Sequence, residues 1–91
     1  MPRTMNQFVI DVAHNNKLYT IQQIIDFISK TGEGQDDKVK AIADQSLLMA
    51  DQIMKSYGLT VYSIVNKTTP GGNALANLLL KHCEQVIMIK K

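Results

Sequence analysis

The segment 36–58 constrains the fold of this 91-residue chain most, because it carries the full sequence pattern of a long amphipathic helix. Asp36 or Asp37 is a suitable N-cap, and acidic side chains there complement the positive end of the helix dipole. Gly58 suits the left-handed position that follows a helix. We therefore predict a helix that ends near Tyr57 and buries one face. That face consists of Val39, Ile42, Ala43, Ser46, Ala50, Ile53, Met54 and Tyr57.

Leu48 departs from this pattern. On a helix it projects about 180° away from Val39, among charged side chains. Two interpretations are open for it. A single exposed leucine is common on protein surfaces. Alternatively, Leu48 contacts a second element or a second subunit.

A shorter helix is predicted over residues 21–30. Thr20 and Gln23 have the spacing of a capping box, in which the hydroxyl and the Gln side chain each satisfy a backbone amide. Ile21, Ile24 and Ile28 contribute to an apolar side. The two glycines in the segment 31–34 end this helix.

Four segments are interpreted as strands. Residues 7–13 alternate in polarity, and Leu18-Tyr19 follows a turn as a short second strand. Residues 59–66 and 85–89 are apolar on both faces, which is typical of strands covered on both sides.

A third helix is predicted from Ala74 to about Cys83, with Asn73 as its cap. It is apolar around most of its circumference, so it must be largely buried, either within a protomer or between protomers. With its flanking strands it forms a β-α-β unit. The predicted fold class is therefore α+β or small α/β, in the order β-(β)-α-α-β-α-β. Residues 1–91 form one domain with helices packed on a small sheet.

The loop between the predicted strand 59–66 and this helix is a candidate ligand site. Its glycines would admit close approach of a ligand, and its hydroxyls and cation suit a phosphate or carboxylate. The alternative is a structural turn, because Pro70-Gly71 is a favoured central pair of type II turns. Neither nucleotide-binding glycine motif is present. The candidate ligand-binding residues are Lys67, Thr68, Thr69, Gly71, Gly72 and Asn73.

The residue pattern does not indicate an active site or a metal site. His82 and Cys83 are neighbours on a helix, where adjacent side chains diverge by about 100° and cannot act as a base and nucleophile pair. We expect a buried thiol beside a partly exposed histidine. The chain's two histidines and one cysteine do not match a zinc-binding spacing. We predict a non-enzymatic protein without a metal or a cofactor.

Charge and cysteine content bear on partners and compartment. The net charge is +2, but residues 33–51 carry −3 and residues 52–91 carry +4. A basic C-terminal face would associate weakly with nucleic acid, although only one of the ten cations is an arginine. A single cysteine fits a reducing compartment, so we expect a cytoplasmic location. We expect neither a signal peptide at the N-terminus nor a membrane span.

The preferred functional hypothesis is a small regulatory or inhibitory protein that binds or occludes a protein partner, as a homodimer. It rests on the missing catalytic residues and on the apolar helix. The alternatives are binding of a small anionic ligand, such as a nucleotide, in the loop 67–73, and weak nucleic-acid binding. The candidate interface residues are Leu48, Leu75, Leu79 and Leu80.

Overall fold

The fold is mainly helical in a computed structural model, which describes residues 7–34 and 36–90. The described residues form four helices and one two-stranded sheet. In chain order the elements are α1 (Gln7–His14), β1 (Tyr19–Thr20), α2 (Ile21–Gly32), α3 (Asp37–Tyr57), β2 (Ile64–Val65) and α4 (Gly72–Lys90).

The predicted α+β or α/β class, with its C-terminal β-α-β unit, is wrong. Residues 7–13 belong to α1, residues 85–89 continue α4, and only Ile64 and Val65 of the segment 59–66 are in a strand. Strand and helix patterns are hard to separate in short apolar runs that are rich in β-branched residues. The small sheet therefore does not carry the helices; the helices pack mainly on one another.

Helical spacing explains why α1 and the end of α4 are not strands. Val9 and Val12, three residues apart, are the buried residues of α1. In α4, Leu79, Cys83 and Val86 continue one buried face beyond the predicted end of the helix. Because no Gly or Pro follows Gly72, nothing in the sequence interrupts α4 before Lys90.

The predicted start of α2 and both predicted ends of α3 are confirmed, whereas α2 continues to Gly32, two residues beyond the predicted end at Lys30. Thr20 accepts a hydrogen bond from the Gln23 amide at 3.3 Å, and the Gln23 side chain accepts one from the Thr20 amide at 2.8 Å. The Asp36 side chain caps α3 by accepting from the Val39 amide at 3.0 Å. Gly58 has a φ of 68° at the C-terminal end of α3, in the left-handed region. Local capping chemistry thus fixes where these two helices begin and end.

The core lies between the helices. Phe8 of α1 and Phe27 of α2 place their rings 5.6 Å apart. α2 approaches α3 closely, because a Cβ atom added to Gly32 would lie only 2.8 Å from the Cβ of Ala43. The largest fully buried side chains are Val9, Val12, Ile21, Ile24, Ile28, Val39, Leu75, Leu79 and His82.

The ribbon formed by β1 and β2 closes the N-terminal end of α2. The strands are antiparallel, with Tyr19 opposite Val65 and Thr20 opposite Ile64. Beyond the strands, Ile21 donates to the Ser63 carbonyl at 3.3 Å and Gln22 donates to the Val61 carbonyl at 3.0 Å. With the Thr20–Gln23 bond, these contacts satisfy the first three amides of α2, which would otherwise lack partners. Within the described range, no helix combines the length and apolarity needed to cross a bilayer.

Candidate functional site

The candidate ligand loop is held by hydrogen bonds within itself. Asn66 Oδ1 accepts from the Thr68 amide at 2.9 Å and from the Thr68 hydroxyl at 2.6 Å. The Thr69 hydroxyl donates to the Asn66 carbonyl at 2.9 Å and accepts from the Asn66 amide at 3.2 Å. Both hydroxyls that were predicted to face a ligand are therefore engaged inside the loop.

The loop also connects separate parts of the fold. Lys67 Nζ donates to the His14 carbonyl at 3.1 Å, so the ammonium group lies at the negative end of the α1 dipole. The buried Tyr19 hydroxyl donates to the Gly72 carbonyl at 3.1 Å. Burial raises the pKa of Tyr19 to about 12, which keeps this hydroxyl a donor. These bonds tie α1, β1 and the start of α4 together.

The glycines of the loop are required by packing. Gly71 has a φ of 79°, and the Gly72 amide donates to the Thr69 carbonyl at 2.9 Å, as expected for a type II turn centred on Pro70 and Gly71. A Cβ atom on Gly71 would lie 2.8 Å from Leu59 Cδ1, and one on Gly72 would overlap the Asn66 carbonyl oxygen. These features support the turn interpretation. The structure brings the residues from Lys67 to Gly72 together, and it places Asn73 inside α4 rather than at the predicted cap position.

The four predicted interface leucines lie in different environments. Leu75 and Leu79 are fully buried in the core of the single chain, and Leu80 is half-buried against it. Leu48 is 55% exposed on α3. The apolar circumference of α4 is thus covered largely within the protomer, and Leu48 alone of the four presents a large surface.

His82 is a structural residue in the core, not the partly exposed side chain that we predicted from the sequence. It is 0% exposed, with Nδ1 2.9 Å from the Ser46 hydroxyl and Nε2 2.7 Å from the Thr31 hydroxyl. The Thr31 hydroxyl also lies 2.7 Å from the Ile28 carbonyl and can donate its one proton there, so we assign Nε2–H as the donor to Thr31. Nδ1 then accepts from the Ser46 hydroxyl. This chain of hydrogen bonds connects α2, α3 and α4 through a neutral imidazole.

The pKa shifts of α4 fit a structural role. Burial lowers the pKa of His82, which keeps the ring neutral near pH 7. Burial raises the pKa of the Cys83 thiol to about 11, so the thiolate form that acts as a nucleophile is scarce. In the part of the chain that the structure describes, no three His, Cys, Asp or Glu side chains cluster as metal ligands would.

Sequence reasoning overlooked an exposed apolar surface on the ribbon. Leu18, Tyr62 and Ile64 are 64%, 83% and 65% exposed, whereas Tyr19 and Val65 are buried on the other face of the strand pair. We call Leu18, Tyr62 and Ile64 the apolar ribbon face. We predicted that the segment 59–66 was a strand covered on both sides. That prediction implied that Tyr62 and Ile64 are buried, so it missed this surface.

The apolar ribbon face carries little charge. Residues 59–66 contain no ionisable acid or base other than the Tyr62 phenol. The nearest cations along the chain are directed to α1: Lys17 lies 3.5 Å from the Asp11 carboxylate, and Lys67 bonds the His14 carbonyl. A cavity of about 120 Å³ adjoins Leu18 and is lined in part by Phe8 and Val12. Asp11, Lys17 and Gln23 also line this cavity, so the surface between the ribbon and α1 is of mixed polarity.

Comparison with known proteins gives no match to a family model, a curated protein or a solved structure.

Proposed function

We propose that this is a small, non-enzymatic interaction protein that binds a protein partner through the apolar ribbon face. The observation that carries the proposal is the grouping of Leu18, Tyr62 and Ile64, all more than 60% exposed, on and beside one short strand pair. Single exposed apolar residues are ordinary, but a contiguous group of them is typical of interaction sites. Tyrosine is enriched at the centre of protein interfaces, where charged residues are depleted.

The surface is attached to ordered backbone. Thr60 and Ser63 form a turn in which the Ser63 hydroxyl accepts from the Thr60 amide, and the Thr60 carbonyl accepts from the Ser63 amide, both at 3.0 Å. The Thr60 hydroxyl accepts from the Tyr62 amide at 3.3 Å. A surface that is already ordered loses less conformational entropy when it binds. This supports a role as a preformed docking site.

The buried titratable groups support the non-enzymatic part of the proposal. His82 is engaged at both ring nitrogens, and the pKa of Cys83 is raised by burial. Neither group is arranged as a base or a nucleophile that faces a substrate cavity.

The two alternative functions have less support. Anion binding in the loop 67–73 would have to compete with the internal bonds of Thr68 and Thr69. Nucleic-acid binding needs cations that converge on one surface. Lys55 instead pairs with Asp51 at 3.1 Å, and Lys67 is bonded to α1.

Site-specific photo-crosslinking tests the proposed surface. Benzoylphenylalanine would replace Tyr62, and a matched variant would carry it at Tyr57, which is 51% exposed on α3. We expect a discrete protein adduct from position 62 that is lost when Ile64→Lys is added. No adduct from position 62, or the same adducts from both positions, would contradict the proposal.

A further inference from the structure

We propose that the partner on the apolar ribbon face is a second copy of this chain, with the two β2 strands paired antiparallel about a twofold axis at Ile64. This inference rests on the proposed function, and it adds the identity of the partner and the register of the contact.

The backbone of Ile64 offers an unoccupied donor and acceptor at the edge of the ribbon. Along an antiparallel pair, hydrogen-bonded and non-bonded residue pairs alternate. The bond from Ile21 to the Ser63 carbonyl assigns Ile64, opposite Thr20, to a non-bonded pair. Its amide and carbonyl therefore point away from β1. No hydrogen bond among the described residues uses either group.

Among Tyr62, Ile64 and Asn66, Ile64 is the residue whose amide and carbonyl both have no partner among the described residues. On one side of Ile64, the Tyr62 amide is bonded to the Thr60 hydroxyl at 3.3 Å. On the other side, the Asn66 amide and carbonyl are both bonded to Thr69. A long extended peptide would therefore gain one complete pair of backbone hydrogen bonds from this edge, at Ile64, because the Tyr62 amide and both Asn66 groups are already bonded. The same single pair is what a residue makes with its own copy across a twofold axis, where each amide donates to the other carbonyl.

The same axis brings two apolar ribbon faces together. Each copy would contribute Leu18, Tyr62 and Ile64, and no charged side chain lies in residues 59–66 to oppose the approach. Edge strands that must stay unpaired often carry Lys or Pro, and β2 carries neither. The contact is thus complementary to itself in both backbone and side chains.

The size of the surface sets the expected affinity. Three side chains of this kind present roughly 400 Å² per copy, on the scale of about 150–250 Å² for one aromatic side chain. Stable interfaces bury about 800 Å² per partner. We therefore expect a reversible dimer with a dissociation constant above about 1 μM.

Sedimentation equilibrium of the full chain tests this dimer. The wild-type mass should rise with concentration from 10.2 kDa towards twice that value. Ile64→Lys should raise the dissociation constant at least about tenfold, because it places two like charges at the axis. Leu48→Lys is the matched control, since Leu48 is also an exposed aliphatic residue but lies on α3. It should dimerise like the wild type, and unchanged urea midpoints would show that both variants fold.

A disulfide probe tests the register. Paired Cα atoms in an antiparallel bonded pair lie about 5.5 Å apart, within the range that a disulfide spans. Ile64→Cys should give a covalent dimer under air oxidation with a copper catalyst, whereas Leu48→Cys should remain monomeric. The native Cys83 is buried, so it should not contribute.

The outcomes separate this inference from the proposed function. A monomer at all concentrations, with adducts from position 62 to a different protein, would overturn the second-copy assignment and leave the interaction surface intact. A monomer without adducts from position 62 would overturn both. A dimer that Leu48→Lys dissociates and Ile64→Lys does not would overturn the twofold contact at Ile64.

Discussion

Replacing Ser46 by alanine tests the hydrogen-bond chain that connects three helices. In the wild type the Ser46 hydroxyl lies 2.9 Å from His82 Nδ1, and both side chains are buried. Ser46→Ala removes the donor and leaves the imidazole lone pair without a partner. Changing the tautomer does not help, because Nδ1–H would then be an unsatisfied buried donor and Thr31 would have to release the Ile28 carbonyl.

The expected cost is about 1–3 kcal/mol, the range for an unsatisfied buried polar group. Alanine is a better helix former than serine, which offsets roughly 0.5 kcal/mol of that cost. Ser56→Ala is a control in the same helix, since Ser56 is exposed and carries only the propensity gain. For a domain of this size, 1 kcal/mol corresponds to a change in Tm of about 4–8 °C.

Urea denaturation at neutral pH provides the measurement. We expect Ser46→Ala to lower the free energy of unfolding by at least about 1 kcal/mol relative to Ser56→Ala, with the same m-value. Equal stabilities of the two variants would show that the Ser46–His82 hydrogen bond does not help to hold α3 against α4.

Three further predictions concern stability. Because burial lowers the pKa of His82, the imidazole is protonated in the unfolded chain at a higher pH than in the folded chain. The free energy of unfolding should therefore be constant above about pH 6.5 and decline below it. Urea titrations at several pH values should show this decline in the wild type and not in His82→Gln. Gly72→Ala should lower the free energy of unfolding by more than about 2 kcal/mol, because the added methyl group overlaps the Asn66 carbonyl; a smaller change in urea would contradict this packing. Asp36→Ala should cost about 0.5–2 kcal/mol by removing the cap on the Val39 amide, and a calorimetric Tm equal to that of the wild type would be inconsistent with that cap.

The helix ends were predictable because their chemistry is local. Thr20 with Gln23 and Asp36 before α3 each satisfy amides within three residues, so the sequence spacing contains the whole interaction. The left-handed backbone of Gly58 was predictable for the same reason, because it depends on a glycine placed directly after the helix. The type II turn at Pro70-Gly71 could also be predicted, as the alternative to a ligand-binding loop, because these two residues favour the backbone geometry of that turn.

The strand predictions failed where the deciding contacts are distant in sequence. Residues 7–13 have strand-like alternation, but Val9 and Val12 face the core only as a helix. Residues 85–89 are rich in β-branched and apolar side chains, which favour strands by propensity. The sequence has no Gly or Pro after Gly72, and this feature could have indicated that α4 continues to Lys90.

The candidate sites depended still more on tertiary structure. Ser46 on the apolar face of α3 was a signal that a buried polar partner exists, but its partner His82 lies 36 residues away. The exposure of Tyr62 and Ile64 followed from the position of the ribbon at the end of α2, which local pattern does not specify.

The amide exchange rate of Ile64, measured by NMR as a function of protein concentration, tests the central claim most directly. The Ile64 amide has no partner among the residues that the structure describes, whereas the neighbouring Ser63 amide is bonded to the Thr60 carbonyl. If two copies pair at Ile64, its exchange should slow as concentration rises, while the exchange of Ser63 should change far less. An Ile64 rate that stays fast and independent of concentration would contradict the paired edge.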